Sequence, residues 1–107
     1  MRRVDLGNYR KGNSRVFSGR SEGKIVRKKL KLDEIDQTKE KLIIVFPEDT
    51  ISLNSSFFLG VFGSSIRSLG KDKFKEVYEF ECSGFIHSSI EDGIKRATKS
   101  SNPLESK

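Results

Sequence analysis

The apolar residues of this chain fall into a few short runs, and the spacing within each run predicts its secondary structure. Residues 42–46 (LIIVF) are apolar without interruption, which is typical of a strand covered on both faces. Residues 55–69 carry apolar side chains at steps of four, four and three, the spacing of one helix face. Those side chains are Phe58, Phe62, Ile66 and Leu69. We therefore predict a buried strand followed, after a polar turn, by the most buried helix of the chain.

Two glycines lie inside this predicted helix. Gly60 and Gly63 each cost a helix about 1 kcal/mol relative to alanine. We therefore expect them where another backbone comes close rather than on an exposed face. Gly70 is predicted to end the helix.

The rest of the chain shows weaker strand and helix patterns. Short strands are predicted at 3–6 and 15–17, and a helix from about residue 22 to 32, with 33–40 as helix end and connection. A further strand is predicted over 74–82, with Cys82 pointing inward and Glu79 and Glu81 on a wet face. A last helix is predicted over 88–99.

This alternation of strands and helices indicates the α/β class. We predict one domain over residues 1–100, with a mixed four-stranded sheet and about three helices packed mainly on one face. A chain of 107 residues suits a single hydrophobic core. Residues 101–107 include Asn-Pro and little that could be buried, so we predict a flexible C-terminal tail.

The charge of the chain is unevenly distributed. Residues 1–31 hold eleven basic and two acidic side chains, a net charge of +9, whereas residues 32–107 carry −3. Such asymmetry is typical of proteins that bind nucleic acid or an acidic protein surface, although lysine and arginine also simply solvate small domains. The residues predicted to carry such binding are Arg10, Lys11, Arg15, Arg20, Arg27, Lys28 and Lys29.

Residue types that carry enzyme chemistry are scarce. Cys82 and His87 are the single cysteine and the single histidine, and Cys82 is expected in the core rather than as a nucleophile. A zinc site needs three or four ligands, so we predict no metal and no cofactor. One cysteine, no apolar stretch near 20 residues and no signal-peptide pattern predict a protein of the reducing cytoplasm.

The turn before the long helix is the most informative segment. Asn54, Ser55 and Ser56 precede Phe57 and Phe58 at the predicted helix start, where the helix dipole favours an anion such as phosphate. The simpler interpretation is that Asn54 or Ser55 caps the helix, which is worth about 1 kcal/mol.

The segment LNSSFFLGVFG, which follows the predicted buried strand, resembles the DSSGLG-type segment of STAS domains. STAS domains are the small α/β modules of anti-sigma factor antagonists and sulfate transporters. The segment is more similar still to the STAS-like domains of unknown function, which carry a Ser-Ser-Phe-Leu-like segment here. Those domains also have a Gly-Arg followed by a Gly, matched by Gly19-Arg20 with Gly23 and Arg27. The resemblance covers roughly residues 15–100.

The resemblance implies a regulatory role without catalysis. In anti-sigma factor antagonists a histidine-kinase-like ATPase phosphorylates a serine at this helix start, and Ser56 matches that serine. Asn54 stands where the family has aspartate, and Phe57 where it has glycine. The STAS-like group is bacterial or phage in distribution and often lies beside ATPase genes. The resemblance therefore predicts a non-enzymatic interaction module whose partner-binding residues are Asn54, Ser55, Ser56, Phe57 and Phe58.

Overall fold

The computed structural model describes residues 2–9 and 15–100, with side chains up to residue 98. These residues form parallel strands and helices that alternate along the chain. In order they are β1 (Arg2–Asp5), a 3-10 turn (Leu6–Tyr9), β2 (Val16–Phe17), α1 (Arg20–Leu30), α2 (Leu32–Thr38), β3 (Leu42–Val45), β4 (Ser52–Leu53), α3 (Ser55–Leu69), α4 (Lys71–Val77), β5 (Tyr78–Glu81) and α5 (Gly84–Ser100).

The strands of the described residues form two separate parallel sheets. The main sheet has the order β1-β3-β5, and β2 pairs with β4 in the second sheet. The α/β class is confirmed, but the prediction of one mixed four-stranded sheet is wrong. The cause is β4, a strand of two residues that is too short to show any periodicity. Strand β4 pairs with β2, so β2 does not join the main sheet.

The central strand of the main sheet is buried as predicted. Leu42, Ile43 and Ile44 of β3 are at most 9% exposed. On one face of the neighbouring β5, Glu79 and Glu81 form ion pairs with Lys41 and Arg3, so the prediction of a wet face on this strand is also confirmed. The outer face of the main sheet therefore places these glutamates of β5 beside Ile43 and Val45 of β3, and the inner face is apolar.

Helix α3 packs against α1, α2, α4 and α5. Its bounds, Ser55–Leu69, agree with the prediction, and Phe58, Phe62 and Ile66 are almost fully buried. The rings of Phe62 and Phe80 meet edge to face at 5.3 Å, which joins α3 to β5 in the core. Gly70, with a φ of 84°, ends the helix as predicted.

Helices α1 and α3 cross at a pair of glycines. A Cβ at Gly60 would lie 2.5 Å from the carbonyl oxygen of Arg20, and one at Gly23 would lie 2.4 Å from that of Phe57. The expected close approach of a backbone is confirmed for Gly60. At Gly63 a Cβ would meet the flexible side chain of Arg67 instead, at 3.3 Å, so the same expectation is wrong for Gly63.

Five helices occur in the described residues, where about three were predicted. Residues 33–38 were predicted as a connection but belong to α2, because Leu32, Ile35 and Asp36 bury one helical face. The predicted strand over 74–82 begins only at Tyr78. Before it, Phe74 and Val77 are buried three residues apart, which is helical spacing.

The C-terminal helix α5 begins at Gly84, four residues before its predicted start. Its buried side chains include Ile90, Ile94 and Ala97, as the spacing predicted. The predicted tail over 101–107 lies outside the described residues. No helix in the described part of the chain has the length and apolarity needed to cross a membrane.

Candidate functional site

The starts of α1 and α3 lie side by side because the strands that precede them are paired. Strands β2 and β4 run parallel, and the backbone N–H of Asn54 donates to the carbonyl of Phe17 at 2.8 Å. Gly19, with a φ of 92°, then turns the chain into α1, while Asn54 leads into α3. The positive ends of two helix dipoles therefore meet beside this small sheet.

Asn54 is the N-cap of α3. Its backbone is extended, and its side-chain Oδ1 accepts hydrogen bonds from the backbone N–H of Ser56 at 2.8 Å and from the Ser56 hydroxyl at 2.7 Å. One oxygen thus satisfies a donor that the first helical turn would otherwise leave unpaired. The capping interpretation from the sequence is confirmed for Asn54.

The predicted partner-binding residues divide into an exposed and a buried group. Asn54 is exposed, and Ser55 and Ser56 are partly exposed. Phe57 and Phe58 are only 3% and 1% exposed, so their rings support the turn from inside the core. We call Asn54, Ser55 and Ser56 the cap surface, because they are the accessible members of the predicted group.

Two aliphatic side chains next to the cap surface are exposed to solvent. Val16 of β2 is 43% exposed, and Ile51, which immediately precedes β4, is 56% exposed. Val16 lies on β2, which precedes α1, and Ile51 stands directly before β4, which precedes α3. The neighbourhood of the cap surface therefore offers both polar hydroxyls and apolar contact area.

At the other end of the α1–α3 contact, Arg27 is enclosed in a polar network. Its side chain is 12% exposed and donates to the carbonyl of Val61 and to the Ser65 hydroxyl, both at 2.8 Å, and to Asp36 at 2.9 Å. Ser65 and the Tyr78 hydroxyl donate in turn to Asp36, at 2.7 and 2.6 Å. We call Arg27, Asp36, Ser65 and Tyr78 the buried network.

Burial and the neighbouring carboxylates shift the pKa values of Arg27 and Tyr78. Burial lowers the pKa of Arg27, but the hydrogen bonds that it donates to Asp33 and Asp36, and the charges of these carboxylates, outweigh this effect and raise the pKa overall. Burial and the hydrogen bond to Asp36 both raise the pKa of Tyr78, so its hydroxyl stays protonated. The network thus connects α1, α2, α3 and β5, and its role is structural.

Arg27 was predicted as a binding residue, but its partners in the buried network were not predicted from the sequence. The sequence contains a signal that Asp36 is buried, because Asp36 shares the helical face of Leu32 and Ile35. Ser65 lies next to Ile66 on the apolar stripe of α3 and is fully buried. A polar residue at such a position predicts a buried partner.

The remaining predicted basic residues are distributed over several places. Arg10 and Lys11 lie outside the described residues. Arg15 is 3.9 Å from Asp49, and Arg20 is exposed at the start of α1. The other two, Lys28 and Lys29, are exposed on the outer side of α1.

Cys82 lies beside a cavity of about 390 Å³ at the carboxyl ends of β3 and β5, lined also by Phe46 and Glu48. Ligands of open parallel sheets bind at this edge. Burial raises the pKa of the Cys82 thiol, which disfavours the reactive thiolate. His87 is exposed in the first turn of α5, and within the described residues no hydrogen bond joins it to Cys82. The observations thus favour the neutral thiol of Cys82 in this cavity.

The described part of the chain holds no group of three His, Cys, Asp or Glu side chains that could bind a metal ion. Comparisons of the whole chain with protein-family models, with curated proteins and with solved structures give no match. The cap surface is therefore the basis of the proposed function.

Proposed function

We propose that this protein is a non-enzymatic, STAS-like regulatory module that binds a protein partner through the cap surface. The observation that supports this most directly is the position of Ser55 and Ser56. They are partly exposed in the first turn of the most buried helix, which a paired parallel strand holds in place. A rigid turn of this kind presents its hydroxyl groups in a fixed orientation to a partner.

The proposed partner is a histidine-kinase-like ATPase that phosphorylates Ser56, as the sequence resemblance implies. A phosphate there would add a charge of about −1.5 to −2 at neutral pH. At a helix N-terminus an anion is stabilised by about 0.3–1 kcal/mol at an exposed site. The neighbouring start of α1 contributes a second positive dipole end and the exposed Arg20. The modified state would therefore be tolerated by the fold.

Phosphorylation would also change the cap itself. The Ser56 hydroxyl now donates to Asn54 Oδ1, and a phosphate ester on that oxygen has no proton to donate. The hydrogen bond from the Ser56 backbone N–H to Asn54 remains available. The switch would thus act on surface charge while α3 stays folded.

The apolar surroundings favour a protein as the ligand of this surface. Val16 in β2 and Ile51 immediately before β4 are large exposed aliphatic residues. Protein interfaces combine an apolar centre with a polar rim. We expect a partner to cover these two side chains and to contact the serine hydroxyls at the same time.

The proposal can be tested by titrating the purified protein with the histidine-kinase-like ATPases encoded in the same genome. Calorimetry would compare the wild type with Ser56→Asp, Ser55→Ala and Ile51→Asp. The matched control is Ser64→Asp, which places the same charge on an exposed position of the same helix.

We expect Ser56→Asp and Ile51→Asp to weaken binding at least tenfold, and Ser64→Asp to bind like the wild type. Binding that is unchanged in all the cap-surface variants would contradict the proposal. A loss of the same size in Ser64→Asp would also contradict it, because the effect would then follow the charge of the protein rather than this surface.

A further inference from the structure

One side of α1 and the residue that caps its C-terminus carry exposed lysines: Lys24, Lys28 and Lys31. Lys24 and Lys28 lie one turn apart on the helix, so their side chains are neighbours. Lys31 caps the helix in the left-handed conformation and lines the same cavity as the other two. We call these three residues the lysine face. The opposite side of α1, with Gly23, Val26 and Leu30, is buried.

The lysine face borders two shallow cavities. The first, of about 370 Å³, is lined by all three lysines together with Leu32, Asp33 and Glu34. The second, of about 300 Å³, lies on the other side of Lys31 and brings Arg2 and Lys29 to the same surface. The positive charges therefore extend from α1 across to the edge strand β1.

The charges of the lysine face are not neutralised within the described part of the chain. None of its three lysines has a carboxylate within ion-pair distance there, in contrast to Lys41, Lys73 and Lys75. Asp33 is bound by the guanidinium of Arg27 at 2.6 Å. Glu34 lines both cavities and adds one negative charge, against the positive charges of Lys24, Lys28, Lys29, Lys31 and Arg2. The surface therefore keeps a net positive charge.

We propose that the lysine face binds the phosphate backbone of a nucleic-acid duplex. Protein–nucleic acid interfaces are polar and strongly positive, as this surface is. The lining of the first cavity offers only Leu32 as a large apolar side chain. A protein partner would normally need aromatic or aliphatic anchors at the centre of the contact.

Other polyanions fit this surface less well. A single strand is held by stacking its bases on aromatic rings, and the two cavities contain one, that of Tyr9. An amphipathic helix that lies in an anionic membrane inserts its apolar face, but the apolar face of α1 is packed on α3. A duplex can be bound by a row of cations alone, because its phosphate backbone carries one negative charge per about 1.7 Å of axis.

The test is fluorescence anisotropy with short labelled DNA and RNA duplexes of arbitrary sequence, at several salt concentrations. The variant combines Lys24→Gln, Lys28→Gln and Lys31→Gln. Its control combines Lys71→Gln, Lys95→Gln and Arg96→Gln, which removes the same charge from exposed positions on α4 and α5. Circular dichroism during heating would verify that both variants are folded.

We expect the wild type and the control to bind at least one duplex with an affinity that falls steeply with salt. Loss of three phosphate contacts should lower the slope of log affinity against log salt by about 3 in the lysine-face variant. No binding by the wild type at low salt, or equal slopes in the two variants, would overturn the proposal. Equal binding to poly-glutamate or to phosphatidylserine vesicles would overturn it as well.

Discussion

Ser56 and Ser65 lie nine residues apart on the same helix, but Ser56 is near the surface and Ser65 is in the interior. Ser56 is partly exposed in the first turn of α3 and donates one hydrogen bond to the side chain of Asn54. Ser65 is fully buried, accepts a hydrogen bond from Arg27 and donates one to Asp36. The same hydroxyl group thus serves a surface at one end of α3 and the interior at the other.

The comparison shows how one helix can combine stability with accessibility. The buried network connects α3 to α1, α2 and β5, so the helix is held along its C-terminal half. Its first turn is held by the cap and by the pairing of β2 with β4. The cap surface can therefore change its charge without loosening the core.

Asp36→Ala tests the buried network most severely. Removing one partner of a buried ion pair costs about 3–5 kcal/mol, because the other charge is left without compensation. Urea unfolding should show a loss of that size. The control is Asp33→Ala, which removes the exposed carboxylate bound to the same guanidinium and should cost at most about 1 kcal/mol. Equal losses of stability in the two variants would mean that the burial of Asp36 does not increase its contribution to stability.

Gly60→Ala tests the crossing of α1 and α3, which lies between the cap surface and the buried network. The new Cβ would lie 2.5 Å from the carbonyl oxygen of Arg20, so the helices must separate, at a cost of about 1–3 kcal/mol. Gly63→Ala on the same helix meets only the flexible end of Arg67 and should stabilise the protein by up to about 1 kcal/mol. Thermal unfolding of both variants distinguishes these outcomes. Destabilisation of similar size in both would contradict the geometry.

Tyr78→Phe tests the network through pH. The raised pKa of Tyr78 means that the hydroxyl in the unfolded chain, near its ordinary 10.0, ionises before the folded one. Its contribution to stability is therefore complete below that value and is lost as pH rises above it. At neutral pH we expect Tyr78→Phe to lose about 1–3 kcal/mol, since Asp36 is left short of a donor.

Above pH 10 the free energy of unfolding of the wild type should fall more steeply than that of Tyr78→Phe. The difference in slope should approach about 1.4 kcal/mol per pH unit. Urea titrations of both proteins between about pH 9 and 11 measure it. Parallel slopes would show that the Tyr78 hydroxyl titrates in the folded protein as it does in the unfolded chain.

Asn54→Ala has the smallest expected effect on stability. Losing the cap should cost about 1 kcal/mol, which a chemical denaturation curve resolves. Ser55→Ala is the matched control, because none of the side-chain hydrogen bonds of the cap involves Ser55. If both variants matched the wild type, the cap would be without energetic importance and the first turn would depend on strand pairing alone.

The two elements with the clearest apolar patterns, β3 and α3, were predicted well from the sequence. The uninterrupted apolar run of β3 and the four-four-three spacing of apolar residues in α3 are each more regular than the pattern of a loop. The predicted bounds of α3 were correct. Gly60 was correctly expected at a close backbone contact, because a glycine on a buried helix face has few other uses.

The failures concern short elements and contacts between distant residues. Strand β4 has two residues, and α2 and α4 have seven each, so their periodicity covers at most two turns. The hydrogen-bond partners of Arg27 are six to 38 positions away in the chain. Ser65 and Tyr78 reach Asp36 only because α3 and β5 pack against α2. Spacing within one element carries no information on such contacts.

The distinction between Ser56 and Ser65 can be measured directly by mapping phosphorylated serines. The folded protein would be incubated with Mg-ATP and each histidine-kinase-like ATPase from the same genome, digested, and analysed by mass spectrometry. We predict phosphate on Ser56 in at least one reaction and none on Ser65. Phosphate on Ser65, or an unmodified Ser56 in every reaction, would contradict the assignment of the exposed end of α3 to regulation and of the buried end to stability.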